Sequence, residues 1–460
     1  MKKRLTLYLA ALAFSGILFT GCNNKPDEPE NPAEEEDVGD LERPTGTVPV
    51  THNWVYDKRP EITVNVKNPN SVAVTAKVKA RISTDQKVVV TTIEKEVSVP
   101  ADGNIDVILT TDSDMEPGFY NAFCMVNGKS ARTFNFGISP FEIKSDPDYQ
   151  EDFVQFWKDA NDQLASIDIN EDLFPISSNS LYTIYMVELQ SVPDGLSGDP
   201  VIVRGYYLEP KDGKKHPVLM HFQGYDTLGE RPGISLPSGN GKFAEFFLSH
   251  RGQYLNRSSQ AERTSVFGKS DNKGDFENKY GDWFAYNFGN KDSYYYRGAF
   301  MDCVRAVQFM ATRPTSDMDN LFAEGSSQGG ALSYAAAALS GIKFKAIAPN
   351  VAFLGDFPDY FKIVSWPANV AFANQGSMTD AEMYAFLSYF DTKNLATLID
   401  CPVWATSGLQ DSTCPSHTNV APFNNLKSTD KTMSFYPEMQ HSYPTTWTSD
   451  ITKFFNDHTD

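Results

Sequence analysis

The repeat of the apolar residues changes near residue 145, and this change constrains the fold more than any other feature of the sequence. Between residues 72 and 82, valine, alanine and isoleucine alternate with threonine, lysine and arginine. A period of two is typical of a strand with one buried face. After residue 145 the apolar residues recur at helical spacing, beginning with Phe153, Phe156, Trp157 and Ala160. Two folded regions of different secondary structure are therefore expected.

The first region reads as a small all-β domain over residues 47–144. Further alternating runs lie at 62–66, 88–99, 105–109, 120–126 and 134–138, and turn residues such as Asn127-Gly128 separate them. About seven short strands in this length predict an immunoglobulin-like or fibronectin-like β-sandwich. Trp54 and Tyr56 could stack on a sugar ring or belong to the core or a domain interface. A spacer or docking role and a glycan-binding role therefore both stay open.

The second region, residues 145–460, alternates strands with helices. Strand-like runs lie at 182–189, 201–208, 217–222, 321–324, 344–349, 403–408 and 432–436, and helical stretches such as 299–311 separate them. Asp146-Pro147 is the expected start of the first helix. This order predicts a largely parallel sheet with helices on both faces.

The first 46 residues predict export and a membrane tether. Lys2, Lys3 and Arg4 precede an apolar run that ends at Thr20-Gly21-Cys22, which is typical of a signal peptide at residues 1–22. The small residues before Cys22 predict a lipid-modified cysteine, and an ordinary cleaved signal peptide is the alternative. Residues 23–46 are acidic and rich in proline, so we expect them to form an extended tether between the membrane and the folded regions. The protein is therefore expected to be an exported lipoprotein, either periplasmic or at the cell surface.

The composition indicates which classes of partner and cofactor are not expected. The chain has 40 Lys and Arg against 59 Asp and Glu, a formal net charge of −19. Phosphate backbones repel such a chain, so nucleic acid is not expected as a partner. The seven histidines and five cysteines show no metal-binding spacing, and neither a metal nor a cofactor is predicted. Cys401 and Cys414 could pair, which spacing alone leaves open.

A nucleophilic serine is predicted at Ser327. Residues 325–329 read Gly-Ser-Ser-Gln-Gly, between a short strand and an alanine-rich helix. This strand–turn–helix context is typical of the nucleophile elbow of α/β-hydrolases, which lifts the serine hydroxyl above the edge of the sheet. A Ser-x-x-Lys match at 428–431 lies in a polar turn without the helix that such a nucleophile requires, and we interpret it as chance.

Asp411 and His441 are the predicted partners of this serine. Each follows the carboxyl end of a predicted strand, where open α/β sheets place their sites, and the chain order is Ser…Asp…His. His441 would accept and return the proton, and Asp411 would fix its tautomer. The backbone N–H groups of Gln328 and Tyr225 are candidates for an oxyanion hole. His221, upstream of the serine at a buried strand end, is interpreted as a hydrogen-bonded structural residue.

Several motifs together resemble the acetyl xylan esterase/cephalosporin-C deacetylase family, carbohydrate esterase family 7. They are His-Phe-Gln-Gly-Tyr at 221–225, Arg-Gly-Gln at 251–253, Tyr-Tyr-Tyr-Arg at 294–297, the segments 325–330 and 387–391, and Asp411 with Cys-Pro-Ser at 414–416. The resemblance covers residue 146 to the end. Ser442 after His441 and Ser249-His250 before Arg251 depart from the family pattern.

The resemblance implies a serine esterase that hydrolyses O-acetyl esters of xylan-derived or other small carbohydrates. It implies Ser327, Asp411 and His441 as catalytic residues, Tyr225 and Gln328 as oxyanion donors, and Arg251 and Gln253 as residues that organise the site. No metal or cofactor is implied, and the family's hexamers make a homo-oligomer possible. The alternatives are a hydrolase with another acyl or peptide specificity and a weakly active, glycan-binding surface lipoprotein.

Overall fold

The computed structural model of the protein describes residues 41–195, 198–225, 234, 236–253, 255 and 282–460. The signal peptide predicted for residues 1–22, including Cys22, lies outside the described residues, as does most of the acidic segment. Within the described ranges, no helix combines the length and the apolar character that a membrane crossing requires.

Eight strands before residue 140 form two sheets. They are β1 (Thr45–Thr47), β2 (Val55–Tyr56), β3 (Ile62–Lys67), β4 (Val74–Thr84), β5 (Val89–Val99), β6 (Asn104–Leu109), β7 (Gly118–Val126) and β8 (Lys129–Ile138). One sheet has the order β1-β3-β6 and the other β2-β8-β7-β4-β5. Strand β1 includes Thr45 and Gly46, which pair with β3, so the last two residues of the expected tether belong to a sheet.

Alternation places the apolar side chains of these strands in one core between the sheets. Val64 and Val66 of β3 and Ala80 and Ile82 of β4 belong to this core, and all four are fully buried. Trp54 is buried as well, with its ring 4.3 Å from that of Phe134. Trp54 and Tyr56 therefore belong to the core, and the stacking platform considered from the sequence is wrong.

A nine-stranded mixed sheet forms the second region. Its strands are β9 (Asp172–Ser178), β10 (Tyr182–Pro193), β11 (Pro200–Pro210), β12 (His216–Phe222), β13 (Ala244–Ser249), β14 (Ser316–Ser326), β15 (Ala346–Asn350), β16 (Val403–Gly408) and β17 (Lys431–Tyr436). The order is β17-β16-β15-β14-β12-β13-β11-β10-β9. The strands from β17 to β13 are parallel, and β11, β10 and β9 continue the sheet antiparallel.

Helices cover both faces of this sheet. The described helices are α1 (Phe153–Ala165), α2 (Tyr295–Ala311), α3 (Gln328–Leu339), α4 (Phe357–Ile363), α5 (Ala368–Asn374), α6 (Asp380–Leu387), α7 (Thr392–Ala396), α8 (Ser416–Asn425) and α9 (Trp447–Asp457). Helices α1, α2 and α3 share one core with Val218 and Met220 of β12. Helix α9 packs on the opposite face, where Phe455 stacks on Phe322 of β14 at 4.8 Å.

Helix α1 begins at Phe153, later than the Asp146-Pro147 signal predicted. The intervening segment attaches to α7 instead, because the backbone N–H of Asp148 donates to Asn394 Oδ1 at 3.0 Å. Strands β9 and β13 did not stand out in the hydrophobic pattern. The parallel arrangement brings the carboxyl ends of β12, β14, β15, β16 and β17 to one edge of the sheet.

The five-stranded sheet of the first region packs directly on the second region. Leu409 and Val420 are buried in the core between the two sheets formed by β1 to β8, which are called the sandwich below. The side chain of Asn135 in β8 donates to the Leu409 carbonyl at 3.0 Å, and the Gln410 side chain accepts from the Asn135 N–H at 2.9 Å. This junction lies on the segment that follows β16, immediately before Asp411.

Candidate active site

Ser327 is the single residue between β14 and α3, and its backbone conformation is strained, with φ +59° and ψ −121°. A positive φ in a residue with a Cβ costs about 1–3 kcal/mol and persists only where the surroundings fix it. The N–H of Ser327 donates to the Asn350 carbonyl at 2.9 Å, and its carbonyl accepts from the Phe353 N–H at 3.0 Å. Neighbouring backbone therefore holds the serine at the strand–helix turn.

Two glycines make this turn possible. A Cβ on Gly329 would lie 2.0 Å from the carbonyl oxygen of Phe222, and one on Gly325 would lie 2.4 Å from the carbonyl oxygen of Gly329. Both distances are far inside van der Waals contact with backbone, which cannot move away cheaply. The glycines of the motif therefore allow α3 to approach β12 closely, as the elbow interpretation requires.

Asp411 and His441 meet at the same edge of the sheet. Asp411 is buried, and its Oδ1 accepts from the backbone N–H groups of Thr413 and Cys414, both at 2.8 Å. Its Oδ2 lies 2.7 Å from Nδ1 of His441, whose side chain is 27% exposed. A carboxylate fixed by its own loop thus holds one nitrogen of an imidazole that solvent can reach, which leaves Nε2 to exchange protons.

Cys414 connects the aspartate loop to the serine. Its backbone N–H donates to Asp411, and its thiol lies near enough to the Ser327 side chain to interact with it. Burial raises the pKa of this thiol well above its ordinary value, so it stays protonated. On the other side, a Cβ on Gly224 would lie 4.0 Å from Cβ of Ser327. The loops after β12, β14 and β16 therefore converge on Ser327.

Tyr225 follows Gly224 in the loop after β12, beside the serine. Its hydroxyl donates to the Asp282 carboxylate and accepts from the Phe284 N–H at 3.1 Å. Trp366 Nε1 donates to the other oxygen of Asp282 at 3.0 Å. These bonds fix the side chain of Tyr225, and its backbone lies in the loop that approaches Ser327.

Gln328 is the first residue of α3, and its side chain is completely buried. Its Oε1 accepts from the Tyr296 hydroxyl at 3.0 Å, and its Nε2 donates to Nε2 of His250 at 2.8 Å. Burial lowers the pKa of His250 to about 4, so the imidazole is neutral and can accept this bond. His250, a departure from the family pattern, thus helps to fix the residue that follows the serine.

Arg251 and Gln253 lie behind this layer and hold the surrounding elements together. The Arg251 guanidinium makes a bidentate pair with Asp302 of α2, at 2.9 and 2.7 Å, with both side chains buried. Gln253 Nε2 donates to the Tyr295 hydroxyl at 3.1 Å. These contacts agree with an organising role, and neither side chain is placed against the Ser327 hydroxyl by a described contact.

Asn350 is a site residue that the sequence analysis missed. Its Nδ2 donates to Ser326 Oγ at 2.7 Å and to the Ser442 carbonyl at 3.1 Å, and its Oδ1 accepts from Thr406 at 2.5 Å. One buried amide therefore joins the residue before Ser327 to the residue after His441. The available signal was a polar residue at the end of an apolar strand next to the nucleophile strand.

His221 lies between two carboxylates on the α9 face of the sheet. Its Nδ1 is 2.6 Å from Glu324 Oε1, its Nε2 is 3.1 Å from Glu245 Oε2, and its ring stacks on Phe247. Burial alone would lower the pKa of His221, but the two carboxylates outweigh it and raise the pKa to about 9. This agrees with the structural role interpreted from the sequence.

The described cysteines, Cys124, Cys303, Cys401 and Cys414, are all free and buried. The pairing of Cys401 with Cys414 that the sequence left open is therefore absent from the described structure.

A further charged group joins the two regions. Asp356, Asp359 and His417 place one ligand-type atom each within 4.8 Å of one another. The Lys393 ammonium lies 2.8 Å from Asp356, and Nδ1 of His417 lies 3.7 Å from Asp85 of the sandwich. As placed, these side chains form ion pairs across the junction of the two regions.

The sequence pattern of the family described as Acetyl xylan esterase (AXE1) matches residues 141–458. Acetyl esterase Axe7A of Xylanibacter ruminicola is 26% identical over 347 residues, which cover 74% of this chain and 73% of that protein. The family match spans the nine-stranded sheet, its helices and every candidate site residue except Cys22.

Two solved structures of acetyl xylan esterases are also similar to this chain. Acetyl xylan esterase 1 from Thermoanaerobacterium sp. JW/SL YS485 is 25% identical, with a TM-score of 0.57 over 70% of this chain and 98% of that one. Acetyl xylan esterase from Paenibacillus sp. R4 is 23% identical, with a TM-score of 0.57 over 69% of this chain and 98% of that one. The resemblance seen in the sequence motifs is confirmed: the chain belongs to the acetyl xylan esterase family and is a carboxylic ester hydrolase.

Proposed function

We propose that the protein removes acetyl groups from xylan-derived or other small acetylated carbohydrates, with Ser327, His441 and Asp411 as its catalytic residues. The observation that carries this proposal is the 2.7 Å contact between His441 Nδ1 and Asp411 Oδ2, beside a strained serine elbow. The family match and the acetyl esterase relatives support acetyl esters as substrates.

In the proposed reaction, Ser327 Oγ attacks the acetyl carbon and its proton passes to Nε2 of His441. The tetrahedral oxyanion accepts hydrogen bonds from the backbone N–H groups of Tyr225 and Gln328. The C–O bond to the sugar breaks, the sugar oxygen takes the proton from His441, and an acetyl-serine remains. Water, deprotonated by His441, then releases acetate and restores Ser327. Asp411 stabilises the imidazolium that forms in both halves.

Acetate release from acetylated xylo-oligosaccharides tests the proposal, with Ser327→Ala as the variant. Ser449→Ala on the exposed face of α9 is the matched control, because its hydroxyl donates to the carbonyl of Thr446, the residue before that helix, at 2.7 Å. We expect loss of release in the first variant and full release in the second. Faster turnover of long-chain or feruloyl esters would overturn the acetyl preference. No release by the native protein, with sugar binding retained, would overturn the reaction.

We also propose that residues 47–144 form an accessory domain and that Cys22 carries a lipid after export. The sandwich strands have their own core, completed by Leu409 and Val420. The anchor proposal rests on residues 1–22 alone. Cell fractionation of Cys22→Ser tests it: the variant should be released in soluble form, and membrane retention would contradict the lipid anchor.

A further inference from the structure

A groove of about 1120 Å³ separates the sandwich from the hydrolase sheet. Its sandwich wall is the outer face of the five-stranded sheet, with Arg81 and Ser83 of β4, Thr92 of β5 and Asn121 of β7. Its other wall is formed by the aspartate loop and by the segment between α4 and α5. Small-molecule pockets typically enclose about 300–1,000 Å³, so this groove has room for an extended ligand.

The groove runs beside the proposed catalytic site at two points. Asp411 lines it, together with Ser412 and Thr413 of the same loop. Trp366 also lines it, and the Trp366 ring packs edge-on against Tyr225 with the ring centroids 5.3 Å apart. A ligand along the groove would therefore pass both the aspartate that holds His441 and the loop that approaches Ser327.

The chemistry of the walls suits a neutral, hydroxyl-rich ligand. Serine, threonine and asparagine side chains supply donors and acceptors, and the half-buried Trp366 supplies an aromatic surface. Of the charged lining groups, Arg81, Lys87 and Asp85 lie on the sandwich wall, whereas the Asp411 carboxylate is buried against His441. Arg81 is exposed, and its guanidinium lies 5.6 Å from the ring centre of Phe123. Apolar side chains, among them Val89, Phe119 and Ile363, line other parts of the groove, so its walls offer a sugar both polar groups and apolar surface.

We propose that this groove binds the sugar main chain of an acetylated oligosaccharide while one of its acetyl groups lies at Ser327. The inference rests on the proposed function and adds that the sandwich contributes binding residues, with Arg81 and Ser83 in contact with sugars. The sandwich thereby acts as one wall of the substrate site, and the preferred substrates are oligomers rather than single acetylated sugars.

Kinetics on two substrates test the groove. Arg81→Ala removes a hydrogen-bonding cation, and Ser83→Trp fills the groove. Lys79→Ala, on the same face of β4, and Ser98→Trp, on β5, are the matched controls because neither residue lines the groove. For acetylated xylo-oligosaccharides, we expect about tenfold higher KM in both groove variants with kcat retained. For para-nitrophenyl acetate, which is too small to span the groove, kcat/KM should stay unchanged in all four variants.

Equal KM values for the oligosaccharides in native and groove variants would overturn the proposal, as would an equal loss on para-nitrophenyl acetate. Calorimetric titration with unacetylated xylohexaose separates this result from failure of the proposed function. It uses Ser327→Ala protein with and without Arg81→Ala, and about tenfold weaker binding in the double variant supports the groove even if no acetate is released. Xylohexaose binding that Arg81→Ala does not change overturns the groove.

Discussion

His441 and His221 occupy similar places in the fold, and their surroundings give them different chemistry. Both lie near the carboxyl ends of parallel strands and both contact carboxylates. His441 has one such partner, Asp411, on Nδ1, and its ring is partly exposed. His221 has carboxylates on both nitrogens, so its pKa rises to about 9 and it holds its proton at neutral pH. A second carboxylate converts an available base into a buried ion pair.

The largest expected difference is between His441→Gln and His221→Gln. Loss of His441 should lower kcat for para-nitrophenyl acetate by about 10⁴-fold or more, because no other group would accept the serine proton. Loss of His221 should change kcat by less than about tenfold, because the residue touches no reacting atom. Purified, folded variants assayed side by side decide this. Comparable losses in both would mean that His221 takes part in the reaction.

Replacing the carboxylate partner of each histidine by its amide tests the same difference between His441 and His221. Asp411→Asn should lower kcat by about 10³–10⁴-fold, because an amide can donate to Nδ1 and favour the wrong tautomer. Glu324→Gln, the matched change at His221, should leave kcat nearly unchanged and lower the thermal unfolding midpoint. Steady-state assays and calorimetric scans of the two variants measure both effects. A small kcat effect of Asp411→Asn would remove Asp411 from the proposed mechanism.

Replacing Asn350 should lower kcat less than replacing His441 or Asp411. Asn350→Ala removes the amide that joins Ser326 to Ser442, so we expect kcat to fall about 10- to 100-fold with KM for para-nitrophenyl acetate retained. Asn424→Ala is the control, because that amide also bonds to a backbone carbonyl, Ile143 at 3.1 Å, but lies at the junction of the two regions. Equal kcat in the two variants would show that Asn350 acts only on stability.

Local patterns were enough to predict the serine elbow and the strands β3 to β8, but not the short strands β1 and β2. The glycines around Ser327 and the period of two both report on backbone geometry within a few residues. Asp411 and His441 could be selected because each follows an apolar strand in the order that the serine requires. The structure places their side chains in contact, as this selection expects.

Long-range contacts explain what the sequence did not predict. Glu324 lies 103 residues after His221, and Glu245 is on β13, a strand that the hydrophobic pattern did not reveal. The alternating pattern likewise could not tell that Trp54 packs on Phe134 inside the core of the first region. The groove forms between segments near residues 81 and 366, which only the packing of the two regions brings together. Such features depend on tertiary contacts rather than on any local signal.

The smallest expected effect is a dependence of stability on pH that the ion-paired histidines cause. The folded-state pKa values of His221 and His417 are both raised to about 9, against an ordinary value of about 6.5. For His417, burial opposes the rise, and Asp356, Asp359 and Asp85 outweigh it. Between these two values the folded protein holds protons that the unfolded chain has released. Their stabilisation is therefore complete below about pH 6.5 and is lost as the pH rises through about 9.

Denaturant unfolding between pH 6.5 and 9.5 measures this dependence. We expect the free energy of unfolding of the native protein to fall across this range, and His417→Gln to be less stable at pH 7 by about 3 kcal/mol with a shallower slope. Asn424→Ala is the matched control, because it changes an uncharged side chain at the same junction, so its slope should match that of the native protein. An unchanged slope in His417→Gln would show that the ion pairs between the sandwich and the hydrolase sheet do not hold an extra proton. The pH dependence would then be assigned to His221.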